Sequence, residues 1–213
     1  VHILVAMPSR NIIKEYGAEE FYHIYSRGVA KQRIFLDEQD YLFFLSLFKR
    51  YLSTEPRHSP RHGLYPHFNL RLDLLSYCLM PNHVHLLVYQ RDATAMTDLL
   101  RATMTSYSRY FNRKYKRVGP VFQSRYKASR ITTSSYLEHI SRYIHLNPRQ
   151  WQSYPYSSLQ HFMSRRSPEW LHPQAILEIF NSKLHDYLQF LQDYEGQKQV
   201  LEELKWELAN NPE

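Results

Sequence analysis

Cysteine is almost absent from this chain, and glycine is scarce. A single cysteine, Cys78, among 213 residues excludes an internal disulfide and any cysteine-rich zinc site. Five glycines form neither a GxGxxG nor a GxxxxGK(S/T) pattern, which excludes the common glycine-rich phosphate cradles. No apolar run approaches the roughly 20 residues that span a bilayer. The opening "VHILVAM" is apolar but short, without the basic flank and small-residue cleavage site of a secretory signal. The expectation is a cytoplasmic protein with no membrane partner. Acidic residues are missing from one long stretch: Arg101 to Arg130 holds nine basic residues and no Asp or Glu.

What is present describes a folded, basic protein. A hydrophobic share of 43%, with 15% aromatic residues, supports a real core rather than a disordered chain. A net charge of +7 favours a polyanionic partner, nucleic acid first.

Periodicity organises the chain. "EEFYHIYSRGV" (19–29) alternates as a strand that Gly28 ends. Residues 37–53 space Tyr41, Phe44, Leu45, Phe48 and Leu52 as a helix, with Asp37 as N-cap. A Pro-, Gly- and His-rich loop covers 54–66. Strands at 68–80 and 81–90 meet through a Pro-Asn turn as an antiparallel hairpin. A long helix covers 95–116 and stops at Gly119-Pro120. A strand at 121–131 precedes a helix at 132–148, with Ser134 or Ser135 as N-cap and Pro148 as terminator. Two further helices are expected over 173–208, broken near Gly196. The order β-α-β-β-α-β followed by helices predicts an α+β fold: a ferredoxin-like split β-α-β arrangement with a central antiparallel sheet, helices on it, and extra C-terminal helices. The expected organisation is a leader (1–17), a main domain (18–160) and a helical extension (161–213).

Three features carry chemistry. In "LMPNHVHLLV" (79–88), His83 and His85 sit two apart in a strand, so both imidazoles share one face and can chelate one divalent ion. Such a pair alone is a weak signal, since it also occurs as two hydrogen-bonded core histidines. In "RYIHLNP", Tyr143 and Asn147 lie four apart on one helix face. Asn147 can offer an amide oxygen as a third ligand, and a cation nearby would lower the pKa of the Tyr143 hydroxyl and favour its attack on a phosphodiester. The plainer reading makes Tyr143 one of 18 tyrosines and Asn147 a helix cap. Third, the basic stretch interleaves aromatics, so cations can track phosphates while rings stack on unpaired bases. The candidates for contacting DNA are Arg109, Arg113, Lys114, Lys116, Arg117, Arg125, Lys127 and Arg130.

"MPNHVHLLV", "GPVFQSRYKA" and "YLEHISRYIHLNP", in that order, resemble the IS200-like single-tyrosine HUH transposases, and more narrowly the REP-associated tyrosine transposases. The resemblance spans roughly residues 20–160. It implies His83, His85 and Asn147 as ligands of Mg2+ or Mn2+, and Tyr143 as nucleophile. It implies nicking and strand transfer of single-stranded DNA at or near hairpins through a 5′-phosphotyrosine, without a nucleotide cofactor, by a monomer or a homodimer. Tyr136, seven residues before Tyr143, is poorly spaced for a second nucleophile. Three rivals stand beside this reading. One is a catalytically silent DNA-hairpin-binding protein, and another is a ferredoxin-like RNA-binding module. The third is another metal hydrolase, which would want further His, Asp or Glu ligands.

Overall fold

The structure, a computed structural model, describes residues 16–60 and 63–193. Its elements run β1 (Glu20–Arg27), a 3-10 turn (Val29–Lys31), α1 (Glu38–Leu52), a two-residue ladder of β2 (His58–Ser59) and β3 (Gly63–Leu64), β4 (Leu72–Met80), β5 (His83–Gln90), α2 (Ala95–Lys114), β6 (Lys127–Ile131), α3 (Ser134–Leu146), α4 (Leu159–Ser164), α5 (Gln174–Ile179) and α6 (Leu184–Gln192). The expected leader lies almost wholly outside the described residues.

Four strands form one antiparallel sheet in the order β4-β5-β1-β6, the split β-α-β arrangement expected from the element order. β1 is central because its alternation serves two masters. Tyr22 and Ile24 join the core beneath α1 and α2, while His23, Tyr25 and Arg27 point to the other face. That second face is covered by α3, α5 and α6, whose Leu137, Ile140, Ile144, Ile176 and Leu191 pack with Leu75, Cys78 and Leu87. The sheet therefore separates two apolar cores. This explains why β4 and β5 read as nearly continuous apolar runs rather than as alternating strands.

Local chemistry fixes the ends. Asp37 and Asp40 form a reciprocal capping box at the start of α1. β4 and β5 are joined by the two-residue Pro81-Asn82 turn, with Met80 opposite His83. The cap of α3 is Thr133, whose side chain accepts from Tyr136 N, one residue before the expected Ser134.

Two elements differ from the sequence pattern. The strand expected at 121–131 begins only at Lys127. Val121 and Phe122, adjacent in sequence, are both buried in the same core, which an alternating strand forbids. That segment is instead an irregular run held by Val29 N donating to Val121 O and Gln123 N donating to Arg27 O. The helical extension breaks after Ile179, where Asn181 and Ser182 adopt left-handed backbone. The break expected at Gly196 lies outside the described residues. No described helix is long and apolar enough to cross a membrane.

Candidate active site

Strand register assembles the cluster. Paired residues on neighbouring strands share a face, and the pairs are Tyr25 with His85 and Arg27 with His83. Tyr25 is also paired with Lys127 on its other side. α3 lies over this face and brings Tyr143 to ring-centroid distances of 5.1 Å from His85 and 5.8 Å from His23, edge-on to both. Asn147, the cap of α3, brings its Oδ1 to 3.3 Å from His83 Nε2. All four residues singled out from the sequence, His83, His85, Tyr143 and Asn147, thus meet in one place. His23, Tyr25 and Arg27 were not singled out, although "HIYSR" alternates in a way that puts all three on one face.

Hydrogen bonds orient the imidazoles. Asn82 Nδ2 donates to Lys31 O at 3.2 Å, which leaves Asn82 Oδ1 as an acceptor 2.6 Å from His83 Nδ1. His83 therefore carries its proton on Nδ1, and its Nε2 presents a lone pair towards Asn147 Oδ1. In that tautomer the His83 Nε2 lone pair and Asn147 Oδ1 lie 3.3 Å apart, two donor atoms that one cation could share. His85 Nδ1 lies 3.0 Å from His23 Nε2, and His85 Nε2 is buried with no hydrogen-bond partner. A divalent cation fits this donor set: two imidazole lone pairs and an amide oxygen, with both opposite ring nitrogens already engaged. Among the described residues, no group of three or more His, Cys, Asp or Glu is placed to hold a metal. The third donor here is an amide.

Burial sets the charge states. It holds His83 down at about 4, against a weaker upward pull from Asn147 Oδ1, which would accept from Nε2–H of the charged ring, with Arg27 adding to the lowering. Burial alone lowers His23 to about 3. Burial, then the neighbouring His23, His83 and Arg27, holds His85 well below the usual imidazole range. The histidines are neutral near pH 7. Tyr143 is raised well above the usual phenol value, mainly by burial, while Asn147 and Arg27 pull it down. Its phenol stays protonated until a further positive influence arrives.

The end of α3 is anchored from behind. His145, fully buried, takes the Tyr187 hydroxyl on Nδ1 at 2.6 Å and gives Nε2–H to Ser158 Oγ at 2.7 Å. Ser158 Oγ in turn bonds the Tyr77 backbone of β4. Arg142 donates to Phe190 O at 3.2 Å and lies 4.0 Å from the Phe190 ring centroid. α6 and β4 thereby fix the helical turn that carries Tyr143 and Asn147.

The basic candidates divide. By register, Lys127 lies on the site face beside Tyr25. Arg125 is exposed in the irregular run that ends at Lys127, and Arg117 Nη2 reaches Gln32 Oε1 at 3.4 Å, near the same end of β1. Arg109 and Arg113 are exposed on α2, which packs on the opposite face; Lys116 is exposed just past that helix. Lys114 is held by Asp37 at 2.7 Å and Asp40 at 2.9 Å, and Arg130 is paired with Glu20.

Residues 68–147, which include His83, His85, Tyr143 and Asn147, match the family described as "Transposase IS200 like". No curated protein matches the chain. Among solved structures, one described as "Structure of the REP associates tyrosine transposase bound to a REP hairpin" is similar. Identity is 14%, coverage is 73% of this chain and 86% of that one, and the TM-score is 0.49. A likeness at that level assigns no residue and no ligand.

Proposed function

We propose, from the match of residues 68–147 to the family described as "Transposase IS200 like", that this chain nicks and rejoins single-stranded DNA beside hairpins through a covalent bond to Tyr143. The observation that carries this reading is the lone-pair arrangement: His83 Nε2 facing Asn147 Oδ1, and His85 Nε2 without a partner, beside a buried tyrosine.

His83, His85 and Asn147 would hold Mg2+ or Mn2+, which when bound polarises a phosphodiester oxygen and favours the tyrosinate. Asn82 Oδ1 beside His83 Nδ1, and His23 Nε2 beside His85 Nδ1, are placed to accept the two ring protons there, which would leave both Nε2 lone pairs for the ion. Tyr143 Oη forms a bond to phosphorus, and the bond from phosphorus to the 3′ oxygen breaks. The leaving oxygen takes up a proton and becomes a 3′-OH, while the phenol proton is lost to solvent, so protons balance. The product is a 5′-phosphotyrosine. Attack by another 3′-OH reverses the step, conserves the bond energy and needs no nucleotide. Arg125, Lys127, Arg117, Lys116, Arg109 and Arg113 would contact the DNA backbone, whereas Lys114 and Arg130 already neutralise carboxylates.

The test is incubation of the purified protein with labelled hairpin-bearing single-stranded oligonucleotides from the DNA flanking its coding region, with Mg2+ or Mn2+. The expected result is a protein–DNA adduct that survives denaturation and disappears in Tyr143→Phe and His83→Ala. Binding to every hairpin without an adduct would instead make this a DNA-binding protein with no strand-transfer chemistry.

A further inference from the structure

Arg27 stands in the cluster as a charge with no counter-charge among the described residues. It is opposite His83 in the β1–β5 ladder, on the face that carries His85 and Tyr25. Its backbone is held on both sides: Gln123 N donates to Arg27 O at 2.9 Å, and Gly28 N donates to Asn82 O at 2.8 Å. Gly28 has no room to vary, because a Cβ there would lie 2.2 Å from Gln32 O. The guanidinium carbon is 5.3 Å from the Tyr25 ring centroid, and Nε is buried without a hydrogen-bond partner. No ion pair among the described residues involves Arg27.

A partly buried guanidinium is costly unless an anion meets it. The surrounding histidines are neutral, and no carboxylate among the described residues pairs with Arg27. The planar fork of Arg matches a phosphodiester's two non-bridging oxygens better than any other cationic side chain. The charge also acts in the useful direction at Tyr143, where it favours the phenolate.

We propose that Arg27 is a further catalytic residue, which pairs with the non-bridging oxygens of the scissile phosphodiester and stabilises the charge that builds there as Tyr143 attacks. This rests on the strand-transfer reading above and names a group that reading does not use. The bond changes are those already given: Tyr143 Oη to phosphorus forms, phosphorus to the 3′ oxygen breaks, and Arg27 keeps its proton throughout.

The experiment compares wild type, Arg27→Gln and Arg27→Lys on one hairpin-bearing single-stranded oligonucleotide that wild type attacks, in Mn2+. Circular dichroism melts check the fold of each variant. Single-turnover adduct formation is measured on the native linkage and on the same oligonucleotide with a neutral methylphosphonate at the scissile position. Arg27→Gln is expected to slow the saturated rate about 10²–10³-fold, with the half-saturating DNA concentration little changed, and Arg27→Lys to recover part of the rate. On the uncharged linkage, wild type and Arg27→Gln should run at the same rate, because the charge that Arg27 meets is gone. A folded Arg27→Gln with the wild-type rate on the native linkage overturns the assignment. So does a deficit that persists in full on the methylphosphonate, which marks a purely structural role. If wild type attacks no oligonucleotide in the set, the strand-transfer reading itself fails and Arg27 falls with it. An adduct in wild type with no Arg27 dependence removes Arg27 alone.

Discussion

His23 Nε2 lies 3.0 Å from His85 Nδ1, between two fully buried and nearly parallel rings. One proton serves that contact. When His85 donates it, His85 Nε2 becomes a lone pair available to a metal. His23→Leu removes the acceptor and lets His85 take the other tautomer. The expected result is a Mn2+ affinity about 10–100-fold weaker by titration calorimetry. His23→Gln, whose amide oxygen can accept the same proton, retains more of it. Equal affinity in the folded Leu variant would show that the contact does not orient His85.

Acid should unfold this protein by way of its histidines. Burial lowers His23 and His145 to about 3 and His83 to about 4, against 6.5 for an exposed imidazole. Between those values the unfolded chain binds more protons than the folded one, so stability falls as pH drops. Each group can contribute up to about 1.4 kcal/mol per pH unit across that window. Chemical-denaturant titrations should show a plateau above about pH 6.5 and a steep loss below it. A flat profile between pH 4 and 6.5 would contradict the neutral buried state.

Tyr187 supports the turn that carries Tyr143 and Asn147 although it lies on α6. Its hydroxyl donates to His145 Nδ1, and Tyr187→Phe leaves that buried acceptor unpaired. A loss of about 1–3 kcal/mol is expected, read as a Tm lower by several degrees. An unchanged Tm would mean that α6 does not secure the end of α3.

The basic residues should separate by experiment into two kinds. Lys114 shares Asp40, which is fully buried, with the Tyr115 and Tyr110 hydroxyls. Lys114→Ala leaves that buried carboxylate without its cation and should destabilise the fold by about 3 kcal/mol, while the salt dependence of DNA binding stays the same. Arg125→Ala should leave the Tm unchanged and reduce the slope of log K against log salt by about 0.7 for single-stranded DNA. The opposite pattern would reverse their roles.

Much of this was readable in the sequence, because local rules govern it. Strand alternation put His83 and His85 on one side, and helical spacing put Tyr143 and Asn147 on one side. Their meeting depends on register, which local pattern does not encode. Arg27 opposite His83, and His23 behind His85, follow from β1 inserting between β5 and β6. Val121 and Phe122 look like strand residues but turn together into one core, and that is a tertiary demand. Lys114 reads as one more cation in a basic stretch until α1 supplies Asp37 and Asp40 across some 75 residues of sequence.

Covalent capture of DNA by Tyr143 Oη is the step on which the proposed strand transfer depends. The most direct measurement is mass spectrometry of the adduct formed with a hairpin-bearing oligonucleotide in Mn2+, after nuclease and protease digestion. The expected result is a nucleotide 5′-phosphate on the peptide containing Tyr143, and no adduct from Tyr143→Phe. A nucleotide found on another residue, Tyr136 or Tyr25 for example, or an adduct that persists in Tyr143→Phe, would contradict it.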